Sequence, residues 1–275
     1  MDFLEAVILG IVEGVTEFLP VSSTGHLTIT EKLLGMEIDD PTVTAFTAVI
    51  QVGAIAAVLL FFRKDIAAIA SAWLRGLVTR EVRSSFDYRM GWYVIIGSAP
   101  VILAALLGKD LVTGAFRNLW WVAGALVAWS AVMVVAERVG RQDRSEADIT
   151  ARDSLIIGIV QCVSLIPGVS RSGATISAGL LAGLDRVAAT RMAFFLSIPA
   201  LTAAGVYELP QALDGGIPVA ATAVATVVSF AVAYASVAWL LKFVAHHPIT
   251  WFVGYRVALG VVLLLLLATG TISAT

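Results

Sequence analysis

Two carboxylates, Glu13 and Glu17, stand four residues apart in a stretch that is otherwise mostly apolar. On a helix that spacing puts both on one face, where like charges repel. A cation, or a proton, would make the pair tolerable. Directly after them the chain reads Phe-Leu-Pro20-Val-Ser22-Ser23-Thr24-Gly25-His26. These are residue types that open a helix and leave its first backbone N–H groups free for an anion. A second segment, Pro167-Gly-Val-Ser170-Arg171-Ser172-Gly-Ala-Thr175, has the same character and adds an arginine. Arg171 carries a full positive charge on a planar fork that matches two phosphate oxygens at once. Two helix starts and a guanidinium together predict a site for an anion with several oxygens.

The two segments are related. Adding 148 takes Gly10, Ile11, Val12, Val15, Val21, Ser22 and Gly25 to Gly158, Ile159, Val160, Val163, Val169, Ser170 and Gly173, each identical. The same offset continues from Leu33 to Leu181 and from Phe46 to Phe194. One ungapped offset over such a length marks an internal duplication. The copies run over about residues 1–137 and 149–275, with a junction near 138–152. The second copy carries Gln161, Arg171 and Ala174 where the first has Glu13, Ser23 and His26, so the halves have diverged into complementary chemistry.

What must position these segments is a membrane. The chain is 59% hydrophobic and 14% charged, with a mean hydropathy of +0.92 and seven Trp, which places it among integral membrane proteins. Its lone Cys162 excludes an internal disulfide, and a net charge of −2 gives no hint of nucleic acid. Asp2 and Glu5 in place of a basic leader argue against a cleaved signal peptide. Apolar spans are predicted at 43–62, 91–108, 118–136, 190–209, 217–241 and 249–270. The segments 3–35 and 153–183 each read as two short helices around a Pro or Pro-Gly break. A crossing needs about 20 residues, so both are predicted to be re-entrant hairpins. Irregular backbone at membrane depth survives only in protein or against a wet cavity. The fold class expected is therefore an all-α integral membrane protein, one membrane domain with six transmembrane helices and two re-entrant hairpins. Three crossings per copy turn the second upside down, an inverted-topology repeat whose hairpin tips meet near the midplane.

Charge supports that topology. Thirteen of the 18 Lys and Arg residues fall on one side, including Arg63, Arg80, Arg138, Arg144, Arg186 and Lys242. Only Lys32, Lys109 and Arg117 fall on the other, while Arg171 and Arg256 lie within membrane segments. The rich side is read as cytoplasmic and both termini as outside. Ile66, Ile69, Trp73, Leu74 and Leu77, spaced between charges, predict an amphipathic helix lying in the interface.

Blander readings compete. Arg171 could pair with a carboxylate as structural glue. Ser172, Thr24 and Ser177 could simply bond across to neighbouring helices. Ser22, Ser23 and Ser170 stand at the breaks, where that reading weakens. His26, four residues after Ser22 and three after Ser23, could share their helical face. Asp40, Gln51 and Arg256 stay open, Arg256 as a second anion contact or a carboxylate's partner. A secondary transporter or flippase is the rival class, because inverted repeats with broken helices are common there.

The run from Glu13 to His26, together with Pro167 to Thr175, strongly resembles the undecaprenyl pyrophosphate phosphatase family, the integral membrane type also called bacitracin-resistance proteins. The resemblance runs nearly end to end. It implies removal of the terminal phosphate from undecaprenyl pyrophosphate, returning the lipid carrier to bacterial cell-wall synthesis. It also implies a divalent cation, Mg²⁺ or Ca²⁺, a site open to the outer side of the plasma membrane, and a homodimer. On that basis Glu13 and Glu17 hold the metal, and Arg171 with the N–H groups after Ser170 neutralises the transferring phosphoryl group. Ser22, Thr24, Ser170, Ser172 and Thr175 bind the substrate. Ser23 is expected as nucleophile with His26 as its base; direct attack by His26 through a phosphohistidine is the rival.

Overall fold

The computed structural model describes residues 2–37, 40–108, 118–214 and 219–274, without the side chains of Pro41 and residues 208–214. Lys109 and Arg117, assigned above to the side poor in basic residues, lie outside these ranges, as do the first two residues of the span predicted from 217. Among the described residues every regular element is helical, and the only β pairing is an isolated bridge between Arg144 and Leu184.

The chain opens with two short helices, α1 (Phe3–Thr16) and α2 (Ser23–Leu33). Three longer ones follow with an amphipathic helix between the first two: α3 (Pro41–Phe61), α4 (Arg63–Val78), α5 (Phe86–Leu107) and α6 (Leu119–Val139). The order then recurs with a short pair, α7 (Ala151–Gln161) and α8 (Arg171–Leu181), and three long helices, α9 (Arg186–Asp214), α10 (Val219–Val244) and α11 (Trp251–Ala268). Among the described residues six helices are long and apolar enough to cross a bilayer: α3, α5, α6, α9, α10 and α11. The protein is an all-helical, multi-pass membrane protein.

Helix ends depart from the predicted spans where charge was mistaken for a boundary. The span expected from 91 begins at Phe86, because Ser85 caps α5 by accepting from the Tyr88 N–H at 3.3 Å and the helix runs through Asp87 and Arg89. Likewise α9 starts at Arg186, four residues before its predicted span. The amphipathic helix expected over 66–77 is α4. It packs Gly76 against the Tyr88 ring and Trp73 against Gly91 of α5, and leaves Leu74 and Val78 exposed.

Both short pairs are seated by close backbone contact. A Cβ at Gly10 of α1 would lie 2.6 Å from the Ala225 carbonyl oxygen of α10, and one at Gly158 of α7 only 2.1 Å from that of Gly97 in α5. Small residues let helices approach this closely where lipid supplies no hydrophobic drive. Beneath the first pair, Phe18 meets Phe194 edge-on at 5.5 Å, and Phe62 joins them from the end of α3. This aromatic knot fixes the chain as it leaves α1. The second helix of each pair differs in exposure: α8 is buried from Ser172 to Leu180, whereas α2 buries only Gly25, Leu27 and Glu31.

One end of the bundle is stitched by ion pairs. Arg191 of α9 reaches Asp65 and Glu146, Arg186 reaches Glu137, and Arg144 grips Asp153 at the start of α7 through two bonds of 3.1 and 2.6 Å. Burial pushes the Asp153 carboxyl up, but hydrogen bonds from Arg144 and Thr150 outweigh it and hold the group below the usual carboxylate range. A depressed carboxyl contributes its full stability above the unfolded value of about 3.9 and loses it as the pH falls through the folded one. Asp153→Asn is therefore expected to cost about 1–3 kcal/mol at pH 7. Its deficit against wild type should shrink on acidification below pH 3, as thermal melts across that range would show.

Candidate active site

The two breaks in the short helix pairs meet, and they are built alike. Ser22 and Ser170 take φ of +78° and +77°, a region that non-glycine residues rarely occupy. Such strain costs about 1–3 kcal/mol per residue and persists where the surroundings enforce it. Each side chain then caps its helix, Ser22 Oγ accepting from the Gly25 N–H at 3.4 Å and Ser170 Oγ from the Gly173 N–H at 3.1 Å. Across the junction the Gly168 N–H donates to Ser22 Oγ at 3.1 Å, and Ser172 Oγ donates to the Leu19 carbonyl at 2.8 Å. Two helix N-termini, with their partial positive charge, are thus held together at one place.

Arg256 of α11 locks the junction from behind. Fully buried, it donates to the Pro20 carbonyl at 3.0 Å, to the Gly168 and Val169 carbonyls at 2.9 and 3.1 Å, and to Ser130 Oγ at 3.2 Å. It makes no ion pair among the described residues. Its neighbour Tyr255 holds His26 at 2.7 Å with the two rings stacked. His26 Nδ1 lies 2.7 Å from the Ser22 carbonyl. A carbonyl only accepts, so in the neutral ring Nδ1 carries the hydrogen and Nε2 accepts from the Tyr255 hydroxyl.

In front of that platform Glu17 bridges the two segments. One carboxylate oxygen takes a 2.7 Å ion pair from Arg171, and the other accepts from Ser23 Oγ at 2.6 Å. Both carboxylate and guanidinium are largely buried. Glu13, one turn back on α1, is buried too, and neither of its oxygens finds a hydrogen-bond donor among the described residues. What faces it is the Glu17 carboxylate, with the Arg171 charge nearby.

Glu17, Ser22, Ser23, Thr24, Ser170 and Arg171 line one end of a cavity of about 320 Å³. Gln51, Gln161 and Ser164 extend the polar lining. The remaining wall is mostly apolar, chiefly Val101, Ile102, Ala105 and Leu106 on α5 and Ala200, Leu201, Ala203 and Ala204 on α9, with Tyr207 beside them. The lining thus combines polar groups suited to a head with several oxygens and apolar surface suited to a hydrocarbon chain.

Residues 6–262 match the family described as bacitracin resistance protein BacA. The chain belongs to that family. It is similar throughout to undecaprenyl-diphosphatase 3 of Frankia casuarinae, 59% identical with 100% of both chains covered. Against undecaprenyl-diphosphatase of Acidothermus cellulolyticus it is 54% identical with 100% of both covered, and against undecaprenyl-diphosphatase 1 of Streptomyces avermitilis 55% with 98% of both.

In this BacA-family protein the predicted site residues divide into two groups. Six of them line the cavity, as given above. The other four, Glu13, His26, Ser172 and Thr175, stand behind it. The structure pairs Ser23 with Glu17 rather than with His26, whose two ring nitrogens are engaged by Ser22 and Tyr255. Thr175 Oγ1 donates back to the Arg171 and Ser172 carbonyls of its own helix, and Ser172 is committed to the junction. Ser172 thus follows the interhelical alternative for membrane Ser and Thr, while Thr175 bonds within its own helix. Arg171 does pair with a carboxylate, yet it does so at the cavity wall. Among the described residues Arg256 pairs with no carboxylate; it donates to three backbone carbonyls and to Ser130 Oγ. Asp40 caps α3, accepting from the Thr42 N–H at 2.7 Å. Tyr255 had no signal in the sequence, since a single tyrosine in an apolar span is unremarkable until its partner is known.

Proposed function

We propose that this protein removes the terminal phosphate from undecaprenyl pyrophosphate, yielding undecaprenyl phosphate and inorganic phosphate, as the names of its relatives indicate for them. One observation carries the reading. A serine hydroxyl bonded to a buried carboxylate, itself paired with an arginine, stands at the polar end of an otherwise apolar cavity. In this mechanism Ser23 Oγ attacks the terminal phosphorus in line, and its proton passes to Glu17. The bond from that phosphorus to the bridging oxygen breaks, and the lipid monophosphate leaves. Water then attacks the phosphoserine, and Glu17 returns the proton to Ser23 as phosphate departs. Arg171 moves from Glu17 onto phosphoryl oxygens as charge develops there, where most of the rate enhancement of phosphoryl transfer arises. His26, held by Tyr255, supports the strained Ser22 carbonyl in place of the role as base that the resemblance implied.

Glu13 and Glu17 would hold the divalent cation, Mg²⁺ or Ca²⁺. The fit rests on Glu13, a buried carboxylate with no donor and a second carboxylate facing it. No cluster of three or more His, Cys, Asp or Glu converges among the described residues. Two carboxylates leave most positions of a hard cation to water and phosphate oxygens. When bound, the ion supplies charge neutralisation and orientation of pyrophosphate oxygens.

The same reading treats α1–α2 and α7–α8 as re-entrant hairpins of an inverted repeat. All four helices fall short of a crossing at 11 to 14 residues. The packing is reciprocal: α1 seats on α10 and α7 on α5, which hold corresponding places in the two copies. Ion pairs join the starts of α4, α7 and α9 and the end of α6 at one end, in keeping with a cytoplasmic face there and with termini and site on the outer side of the plasma membrane. A homodimer completes the assignment.

Phosphate release from a polyprenyl pyrophosphate by the purified protein in detergent tests the function. Release is expected to stop with EDTA and to fall by about 10²-fold or more in Glu17→Gln, which loses both the base and the Arg171 partner. A folded wild type that binds the lipid yet releases no phosphate with any divalent metal would favour the transporter reading.

A further inference from the structure

We propose that Gln161 is a head-group contact, its side-chain amide donating to a non-bridging oxygen of the pyrophosphate opposite Arg171. The proposal rests on the phosphatase reading and deepens it. Gln161 closes α7 and is fully buried, yet neither its amide oxygen nor its amide nitrogen has a hydrogen-bond partner among the described residues. It lines the cavity together with Ser23, Ser170 and Arg171.

A primary amide offers two donors and one acceptor, and burying it without partners is unfavourable to the ligand-free fold. Side chains of that size are almost always satisfied, so the exception calls for what satisfies it. The cavity is polar at that end and roomy enough for water, which the head group would displace.

The internal repeat gives the choice of residue its sense. Gln161 occupies in the second copy the position that Glu13 holds in the first. A third carboxylate at the site would add negative charge against a pyrophosphate, whereas an amide of the same length donates to it without adding charge. The two copies thereby supply different halves of one site, a pair of carboxylates from the first and a neutral donor with a guanidinium from the second.

Replacement by leucine separates contact from scaffold, because the two roles move stability and binding in opposite directions. Gln161→Leu removes two unsatisfied polar atoms, so the ligand-free protein should melt at the wild-type temperature or above it. Its KM for a polyprenyl pyrophosphate should rise roughly ten- to hundredfold, the range for a lost hydrogen bond to a charged group. The contact exists in both ground and transition states, so kcat should stay within about threefold. Gln161→Glu should raise KM further. A methylene-bridged, non-hydrolysable polyprenyl diphosphonate should raise the melting temperature of wild type and not of the leucine variant. An unchanged KM in Gln161→Leu, or a variant that melts lower and loses kcat at constant KM, overturns the proposal and leaves the phosphatase reading standing. If wild type itself releases no phosphate, that reading fails instead. The diphosphonate shift then judges Gln161 alone: loss in the leucine variant supports the contact, and an equal shift in both proteins rejects it.

Discussion

Arg171→Ala is expected to lower kcat for phosphate release by about 10³-fold or more, the scale on which an arginine facing a transferring phosphoryl group acts. Two separable effects are involved. Among the described residues that line the cavity, Arg171 is the one cation. It is also the partner of Glu17, a carboxylate already faced by Glu13. Truncation therefore leaves buried negative charge uncompensated, at about 3–5 kcal/mol for a broken buried pair. A loss of activity in Arg171→Ala alone could reflect either effect. The double variant Arg171→Ala/Glu17→Gln removes the orphaned charge and should recover most of the melting temperature, while turnover stays at the floor. Arg171→Lys keeps the charge but replaces a planar fork by a point donor; it should fold as wild type and still turn over slowly. Phosphate release at saturating lipid, measured beside thermal melts, reads both quantities. Retention of more than a tenth of the wild-type rate by well-folded Arg171→Ala would remove Arg171 from the phosphoryl-transfer step.

Much of this site was legible because membrane segments punish polar residues. Glu13, Glu17 and Arg171 stand out in apolar surroundings, and the offset of 148 residues places the two Ser-capped helix starts in correspondence before any coordinates are known. The matched φ of Ser22 and Ser170 is the structural face of that correspondence. Spacing along a helix, however, reports which face a residue shares and not which rotamer it takes. His26 was placed beside Ser23 for that reason, whereas its ring turns to the Ser22 carbonyl one turn back and to a tyrosine 229 positions away. The hydroxyls of Ser172 and Thr175 likewise take carbonyls beside and within their own helix, which spacing does not report. The apolar wall was hidden differently. Val101, Ile102, Ala200 and Leu201 read as membrane-span residues, and composition cannot tell a groove for one hydrocarbon chain from a face toward the bilayer.

Arg256→Met is the second large effect expected, and its signature is a split between stability and rate. Loss of the guanidinium leaves the Pro20, Gly168 and Val169 carbonyls without these donors. Each orphaned buried group costs about 1–3 kcal/mol. Against that, an arginine within the membrane itself carries a cost of about 2.5–3.5 kcal/mol on insertion scales, and methionine of similar length removes it. These terms oppose each other, so the melting temperature should move little. The rate has no such offset. Arg256 donates to backbone carbonyls of both breaks, and those breaks carry Ser23 on one side and Arg171 on the other. A misplacement of about 1 Å in such a pair can cost about 10²-fold, and kcat should fall by that order. Arg256→Lys, which can reach one carbonyl but not all three, should fall between wild type and methionine. Turnover and melting measured on the same preparations decide the matter. If Arg256→Met keeps kcat within threefold, the junction is held by Ser22, Ser172 and the caps alone, and the arginine is structural ballast. If it melts far below wild type and the folded fraction retains full turnover, Arg256 stabilises the bundle without aligning the site.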